Sequence, residues 1–146
     1  MRNLKSFGIW EKNNSMQFIV DSSYIIAYLM PDEQRKESQE FFQKAIIEDY
    51  ELLAPAVLTF EVGNSLRSAV LRSRLSKEDA LKLFRSYDDL CIDLFTVSDH
   101  EVLALGCKYN LSFYDAAYLW LAREKQAPLL TFDRKLKKIA DKYLGN

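Results

Sequence analysis

Short apolar runs alternate along the chain with longer segments whose apolar residues recur at helical spacing. The short runs predict four strands, at Phe18–Val20, Glu51–Ala54, Cys91–Val97 and Leu129–Phe132. The longer segments predict seven helices, at Ser22–Met30, Gln34–Tyr50, Ala56–Arg74, Lys77–Leu90, Asp99–Tyr109, Phe113–Lys125 and Arg134–Tyr143. Strands that alternate with helices and lack a strict apolar–polar alternation favour an α/β domain, with a parallel sheet covered on both faces.

Capping residues support several of these helix boundaries. Asn110 is an expected C-cap of the fifth helix, and Ser112 is an expected N-cap of the sixth. Ser98, with Glu101 three residues later, matches the capping box that opens many helices. Pro55 closes the second predicted strand, and proline is favoured in the first turn of a helix that follows.

Length and composition favour one domain. The chain has 146 residues, of which 49% are hydrophobic, so residues 16–146 suffice for one domain with a sizeable core. We expect residues 1–15 to be an N-terminal extension, and whether they belong to the native chain stays open. The chain shows neither an apolar signal core nor a run long enough to span a membrane, so we expect a cytoplasmic protein. Cys91 and Cys107 are expected to be reduced core residues.

Four carboxylates fall where parallel α/β folds bind ligands. Asp21 follows the first predicted strand and Asp133 follows the fourth, so both lie at the carboxyl edge of the sheet. Glu61 and Asp115 lie near the starts of helices that follow loops, and right-handed crossovers bring such helix starts to the same edge. We therefore expect the four side chains to converge.

Each acid also has an ordinary structural interpretation. Asp21 and Asp133 are well placed to be helix N-caps, Asp115 can partner Ser112 in a capping box, and Glu61 can be a solvated helix residue. Their joint occurrence favours a site, because crowded carboxylates repel one another and raise one another's pKa values unless a cation lies among them. Oxygen ligands of this kind suit Mg²⁺ or Mn²⁺.

The residues around these acids resemble those of PIN domains, and more narrowly those of VapC-type toxins of prokaryotic toxin–antitoxin pairs. The matching stretches are FIVDSSYIIAYL at 18–29, TFEVGNSLR at 59–67, LSFYDAAYLWLA at 111–122 and PLLTFD at 128–133. The resemblance covers roughly residues 16–142, and it implies a three-layer α/β/α fold with a parallel sheet of four to five strands. The 15-residue lead before Met16 departs from the family pattern, in which the first strand lies almost at the start.

The resemblance implies a metal-dependent endoribonuclease that leaves 3′-hydroxyl and 5′-phosphate ends. Asp21, Asp115 and Asp133 are the metal ligands that it implies, and Glu61 ligates, orients water or acts as a base. Ser23, Asn64 and Thr131 match positions that orient the carboxylates or water. The chain has one histidine, His100, which we expect at the surface or at a helix start.

The resemblance also implies partners, namely RNA, a cognate antitoxin and a second copy of the chain. The net charge of −1 does not indicate a broadly basic surface, so RNA contacts would come from local basic groups. The candidates are Arg67, Arg72 and Arg74, and then Lys135, Lys137 and Lys138. A solvated helix face is the ordinary interpretation of both groups, and the offset of six residues predicts that Arg67 and Glu61 lie on different faces.

Two other functions stay open on the sequence alone. The chain could be a PIN-type RNA-processing nuclease outside a toxin–antitoxin pair, or a non-catalytic module that only binds. A receiver-like phosphoacceptor domain is disfavoured, because Asp21 is followed by two serines where an adjacent acidic pair is needed, and the third strand is followed by Ser98. A binding module would be expected to have lost one of the four acids, and all four are present.

Overall fold

A computed structural model describes residues 15–145 of the chain. In this range there are four strands, β1 (Gln17–Val20), β2 (Glu51–Pro55), β3 (Asp93–Phe95) and β4 (Leu129–Leu130). There are seven helices, α1 (Ser22–Leu29), α2 (Lys36–Ile47), α3 (Leu58–Leu71), α4 (Lys77–Asp89), α5 (Asp99–Tyr109), α6 (Phe113–Lys125) and α7 (Arg134–Tyr143). The predicted N-terminal extension, residues 1–15, lies outside the described residues except for Ser15.

The four strands form one parallel sheet in the order β3-β2-β1-β4. Helices α1 to α4 pack against one another, and helices α5 to α7 form a second group in which α6 packs on β1 and β2. The predicted α/β/α fold is therefore confirmed, with four strands in the described range. Because all strands run the same way, their carboxyl ends lie along a single edge.

Behind this edge lies an aromatic cluster made of Tyr24, Tyr28, Phe41, Phe42 and Phe132. Tyr24 stacks on Phe132 with ring centroids 4.7 Å apart. Phe42 is fully buried, and its ring lies 4.7 Å from that of Tyr28 and 5.2 Å from that of Phe41. The cluster packs α1 and α2 against the segment after β4. It therefore supports the two points where the chain leaves the sheet, which are marked by Asp21 after β1 and by Asp133 after β4.

The three C-terminal helices begin and end at the residues predicted from the sequence, and their caps explain why. Asn110 adopts the left-handed conformation, with φ of 53°, and ends α5. The hydroxyl of Ser112 accepts the backbone N–H of Asp115, which fixes the start of α6. Polar caps of this kind mark a helix end more sharply than apolar periodicity does.

Several predicted boundaries and contacts are wrong. The third strand is two residues shorter than predicted at each end, and at its start Cys91 has a φ of 51°, which extended chain does not adopt. The expected capping box at Ser98 does not form, since the Glu101 carboxylate accepts the indole N–H of Trp120 at 2.6 Å instead. Cys107 is exposed and Cys91 only half-buried, so neither is a core residue, although both are free thiols. No helix in the described range is long and apolar enough to cross a membrane.

Candidate functional site

Asp21 lies at the end of β1 and is 4% exposed. One of its oxygens accepts the backbone N–H of Tyr24 at 3.0 Å, so Asp21 is the N-cap of α1, as its ordinary interpretation predicts. The same oxygen accepts the hydroxyl of Ser23 at 2.7 Å, and the other accepts the hydroxyl of Thr131. The second oxygen thus retains capacity for one further bond.

Ser23 and Thr131 connect Asp21 to the segment that follows β4. The Ser23 hydroxyl accepts the backbone N–H of Phe132 at 2.9 Å, and the Thr131 hydroxyl accepts that of Asp133 at 3.0 Å. These bonds turn the chain away from the sheet after Leu130, so the predicted strand through Phe132 is too long by two residues. The structure therefore brings together Asp21, Ser23 and Thr131, which the sequence analysis had named as site candidates.

Burial makes the negative charge of Asp21 costly. Loss of hydration raises its pKa from 3.8 to about 6, against the opposing effect of the bonds from Ser23, Thr131 and Tyr24. The charge of Asp115 raises the pKa of Asp21 further. A carboxyl whose pKa is this high near a second acid marks the site as one where added positive charge would be stabilising.

We expect the substitution Asp21→Asn to stabilise the metal-free protein at neutral pH. Since the pKa of Asp21 is raised on folding, the folded state keeps a proton that the unfolded chain loses, and stability falls as pH rises from about 4 to 6. Asn keeps the shape and the N-cap without this cost, so the variant should gain about 3 kcal/mol above pH 6 and nothing below pH 4. Urea unfolding in EDTA across this pH range measures the gain, and equal stability of the two proteins at every pH would contradict it.

Glu61 lies in the first turn of α3 and is half-buried. Its carboxylate accepts the hydroxyl of Tyr118 at 2.6 Å and that of Ser22 at 3.3 Å. Burial raises the pKa of Glu61, these two hydrogen bonds lower it, and the charge of Asp115 raises it again. Two directional bonds hold this carboxylate in place, which is not expected of a freely solvated helix residue.

Tyr118 and Ser22 are the residues of the site that the sequence analysis missed. Tyr118 is 1% exposed in a helix that is otherwise strongly apolar, so its hydroxyl needs a polar partner. It stands three residues after Asp115, which places it on the same face of α6. A buried tyrosine at that spacing from a candidate ligand was the signal that could have identified it.

Asp115 is the neighbour that the other three acids share. Burial raises its pKa, and the charge of Asp133 raises it further, while the Ser112 hydroxyl and the charge of Lys135 lower it. The charge of Asp115 in turn acts on Asp21 and on Glu61. Asp115 is thus paired electrostatically with each of the other three acids, and the convergence of all four in one site stays a prediction.

Asp133 is the N-cap of α7, and one of its oxygens accepts the backbone N–H of Leu136 at 2.8 Å. Its second oxygen has no hydrogen-bond partner within residues 15–145. The N-cap interpretation and the site interpretation are thus compatible, because each uses a different oxygen of the same carboxylate.

The donor chemistry at this edge fits a hard divalent cation. All the candidate ligands are carboxylate oxygens, which Mg²⁺ and Mn²⁺ prefer, and burial makes the uncompensated charges of Asp21 and Asp115 unfavourable. Among the described residues, no three carboxylate, histidine or cysteine side chains are grouped closely enough to form a ready-made metal site. Like charges repel. Electrostatics therefore favours carboxylates that approach one another in pairs over carboxylates gathered in one closed group.

A groove of about 770 Å³ opens beside Glu61 and is lined by Asn64, Arg67, Phe60 and Tyr114 among others. Arg67 and Glu61 therefore line one groove, although their spacing had predicted different faces. Asn64 is exposed and forms no hydrogen bond to a carboxylate in the part of the chain that is described. His100 is exposed in the first turn of α5, as expected.

A family model of the PIN domain matches residues 18–142 of the chain. The chain is 31% identical over 125 residues to ribonuclease VapC3 of Pyrobaculum aerophilum, in an alignment that covers 83% of this chain and 92% of that protein. It is 36% identical over 84 residues to ribonuclease VapC1 of Mycobacterium tuberculosis, which covers 57% of this chain and 63% of that protein. These matches confirm the resemblance that the sequence motifs indicated.

The fold is similar to that in the crystal structure of PAE2754 from Pyrobaculum aerophilum. The two share a TM-score of 0.68 at 21% sequence identity, and the alignment covers 89% of this chain and 90% of the other. At this identity the likeness concerns the arrangement of helices and strands alone.

Proposed function

Because this chain belongs to the PIN domain family, we propose that it is a divalent-metal-dependent endoribonuclease of the VapC type, the toxin of a type II toxin–antitoxin pair. The observation that carries the proposal is the position of Asp115, whose charge interacts with those of Asp21, Glu61 and Asp133 at one sheet edge. Relatives named as VapC ribonucleases support it.

In this proposal Asp21, Asp115 and Asp133 hold Mg²⁺ or Mn²⁺. The bound cation supplies charge neutralisation for the phosphodiester and a lowered pKa for water. Asp21 would hold the cation through the oxygen that Thr131 contacts, which has capacity for one further bond, and Asp133 would hold it through the oxygen that does not cap α7. Ser23 and Thr131 prevent the Asp21 carboxylate from rotating, so it enters the reaction already oriented.

Glu61 is the proton acceptor of the proposed reaction. The bonds from Tyr118 and Ser22 fix its position, while burial and the charge of Asp115 raise its pKa against the opposing effect of these two bonds. A water oxygen attacks the phosphorus in line and its proton passes to Glu61. The bond from phosphorus to the 3′ oxygen breaks, and the departing oxygen takes a proton from solvent water. The products are a 3′-hydroxyl and a 5′-phosphate.

We propose that the groove beside Glu61 is where the antitoxin contacts the protein. Phe60 and Tyr114 line it and are 78% and 55% exposed, so an apolar segment of a partner would remove them from water. An arginine of that partner would pair well with the carboxylates at the edge of the sheet. By analogy with its family, the protein is proposed to act as a homodimer.

The function is tested by incubating the purified, antitoxin-free protein with total RNA in EDTA, Mg²⁺ or Mn²⁺. We expect discrete cuts in the presence of either metal, no cuts in EDTA, and no cuts by Asp21→Asn in any buffer. The ends of the fragments should carry 5′-phosphates, which ligation to an adapter detects. If the metals neither promote cleavage nor raise the melting temperature, the proposal fails and a non-catalytic binding module becomes the better description.

A further inference from the structure

A second cavity, of about 460 Å³, lies between the C-terminal end of α5 and the exposed side of α7. Four lysines line it, which are Lys108, Lys135, Lys138 and Lys142, together with Tyr109 and Ile139. We call this cavity the lysine groove. Three of the four lysines come from α7, at spacings of three and four residues that place them along one side of the helix.

The lysine groove concentrates positive charge that has no ion-pair partner among the described residues. None of the four ammonium groups forms an ion pair with an acid in residues 15–145, whereas Lys36 and Lys44 in α2 each lie within 4 Å of a glutamate. The whole chain has a net charge of −1, so a group of four lysines is a local departure from its average. Like charges held together in a concave site favour a bound anion.

One residue of the lysine groove, Lys135, stands two residues after Asp133, at the start of α7. The charge of Lys135 acts on Asp115, and the Lys135 ammonium also donates to the backbone carbonyl of Asn110. Asp133 caps the start of α7, so this helix begins at the acidic site and carries the lysines away from it. From Lys135 to Lys142 the helix advances about 10 Å, which gives room for more than one phosphate group.

We propose that the lysine groove binds the backbone phosphates of the RNA strand on one side of the bond that is cut, an inference that rests on the proposed ribonuclease function. The strand leaves the carboxylate site at Lys135 and follows α7 towards Lys142. Lysine ammonium groups are point charges, which suit phosphates without reading bases, so this contact supplies affinity and direction but no sequence preference. An acidic segment of a protein is the competing occupant, and the position of Lys135 two residues after Asp133 of the proposed cleavage site favours RNA.

The test compares two double variants that lose the same charge. Lys138→Gln with Lys142→Gln removes the part of the groove farthest from the carboxylates. Lys77→Gln with Lys82→Gln removes two exposed lysines from α4, outside the groove. The four substituted lysines are all exposed. Equal melting temperatures of the two variants and the wild type would confirm that folding is unaffected.

Binding is measured in EDTA, where cleavage is not expected, by the anisotropy of a fluorescein-labelled single-stranded RNA of mixed sequence. We expect the groove variant to bind the RNA about 10-fold more weakly than the wild type. The slope of log K against the logarithm of the salt concentration, measured between about 50 and 200 mM salt, should be less negative by about 1.4. The α4 variant should stay within about 2-fold of the wild type, because exposed charges away from the strand are screened. An equal loss in both variants, or none in either, overturns the inference and leaves an acidic protein segment as the candidate occupant.

Cleavage of total RNA by the wild type in Mn²⁺ separates this inference from the function on which it rests. Suppose that the wild type cuts RNA, and that the groove variant binds and cuts RNA to the same extent as the α4 variant. The groove inference is then wrong and the ribonuclease proposal stands. If the labelled RNA binds through the lysines and no metal gives cleavage, the RNA-binding groove is supported and the nuclease function fails.

Discussion

Replacement of Asp115 by Asn is expected to lower the rate of RNA cleavage by about 10³-fold, equivalent to about 4 kcal/mol of transition-state stabilisation. Asp115 is the acid whose charge interacts with each of the other three, so its replacement removes a proposed metal ligand and also relieves the repulsion that favours a cation. Asn keeps the side-chain shape, and the Ser112 cap depends on the backbone N–H, so α6 should still begin at Phe113. Cleavage assays in Mn²⁺ measure the rate, and Mn²⁺-induced stabilisation should decrease in parallel.

The chain contains a matched control for this substitution. In α4 the Ser76 hydroxyl accepts the backbone N–H of Asp79 at 3.0 Å, the same arrangement as between Ser112 and Asp115. Asp79→Asn therefore repeats the local change away from the other acids, and it should leave cleavage within about 2-fold of the wild type. Equal activity of the Asp115 and Asp79 variants would show that the shared acid is not part of the reaction.

The substitution Phe42→Ala is expected to lower the free energy of unfolding by about 4 kcal/mol. Phe42 is fully buried and contacts three rings of the aromatic cluster, with centroids 4.7 to 5.9 Å away. Removal of the ring leaves a cavity that these rigid neighbours cannot close, so the cost exceeds that of lost apolar burial alone. Urea unfolding at neutral pH measures the difference.

Phe60→Ala removes the same side chain from a position that is 78% exposed, and it should change the free energy of unfolding by less than about 0.5 kcal/mol. A loss below about 1 kcal/mol in Phe42→Ala would contradict the close packing of the aromatic cluster. Since Tyr24 and Phe132 of this cluster flank the acids at the ends of β1 and β4, the variant should also bind Mn²⁺ more weakly.

Sequence alone predicted the fold best where polar caps reinforce apolar periodicity. Helices α5, α6 and α7 have their predicted ends, and two of these ends depend on Asn110 and Ser112. Strands β3 and β4 were predicted to be longer than they are. Apolar residues continue past the last hydrogen bond of each strand to the sheet, whereas the backbone turns away there. After β4 the turn is fixed by a hydrogen bond to Ser23, which lies more than 100 positions earlier in the chain. A local sequence pattern cannot predict such a long-range bond.

The positions of the four acids in the fold could be predicted from the sequence, but the hydrogen bonds that hold their side chains could not. The carboxyl edge of a parallel sheet gave Asp21 and Asp133, and the helix starts gave Glu61 and Asp115. The roles of the hydroxyls in holding these acids depend on side-chain directions that sequence spacing does not specify. Tyr118 was missed for that reason, although its hydroxyl donates to the carboxylate of Glu61.

The bonds from Thr131 to Asp21 and from Ser23 to Phe132 also have a consequence for the order of events during protein synthesis. A ribosome makes the chain from its N-terminus, so β1, β2 and most of the helices exist before residues 128–133 have been added. Until then Asp21 lacks the Thr131 hydroxyl and Asp133 is missing, and pairing of β4 with β1 has to wait for a late, long-range contact. We therefore expect the proposed nuclease to be inactive on the ribosome that makes it, and to acquire activity only when its synthesis is nearly complete.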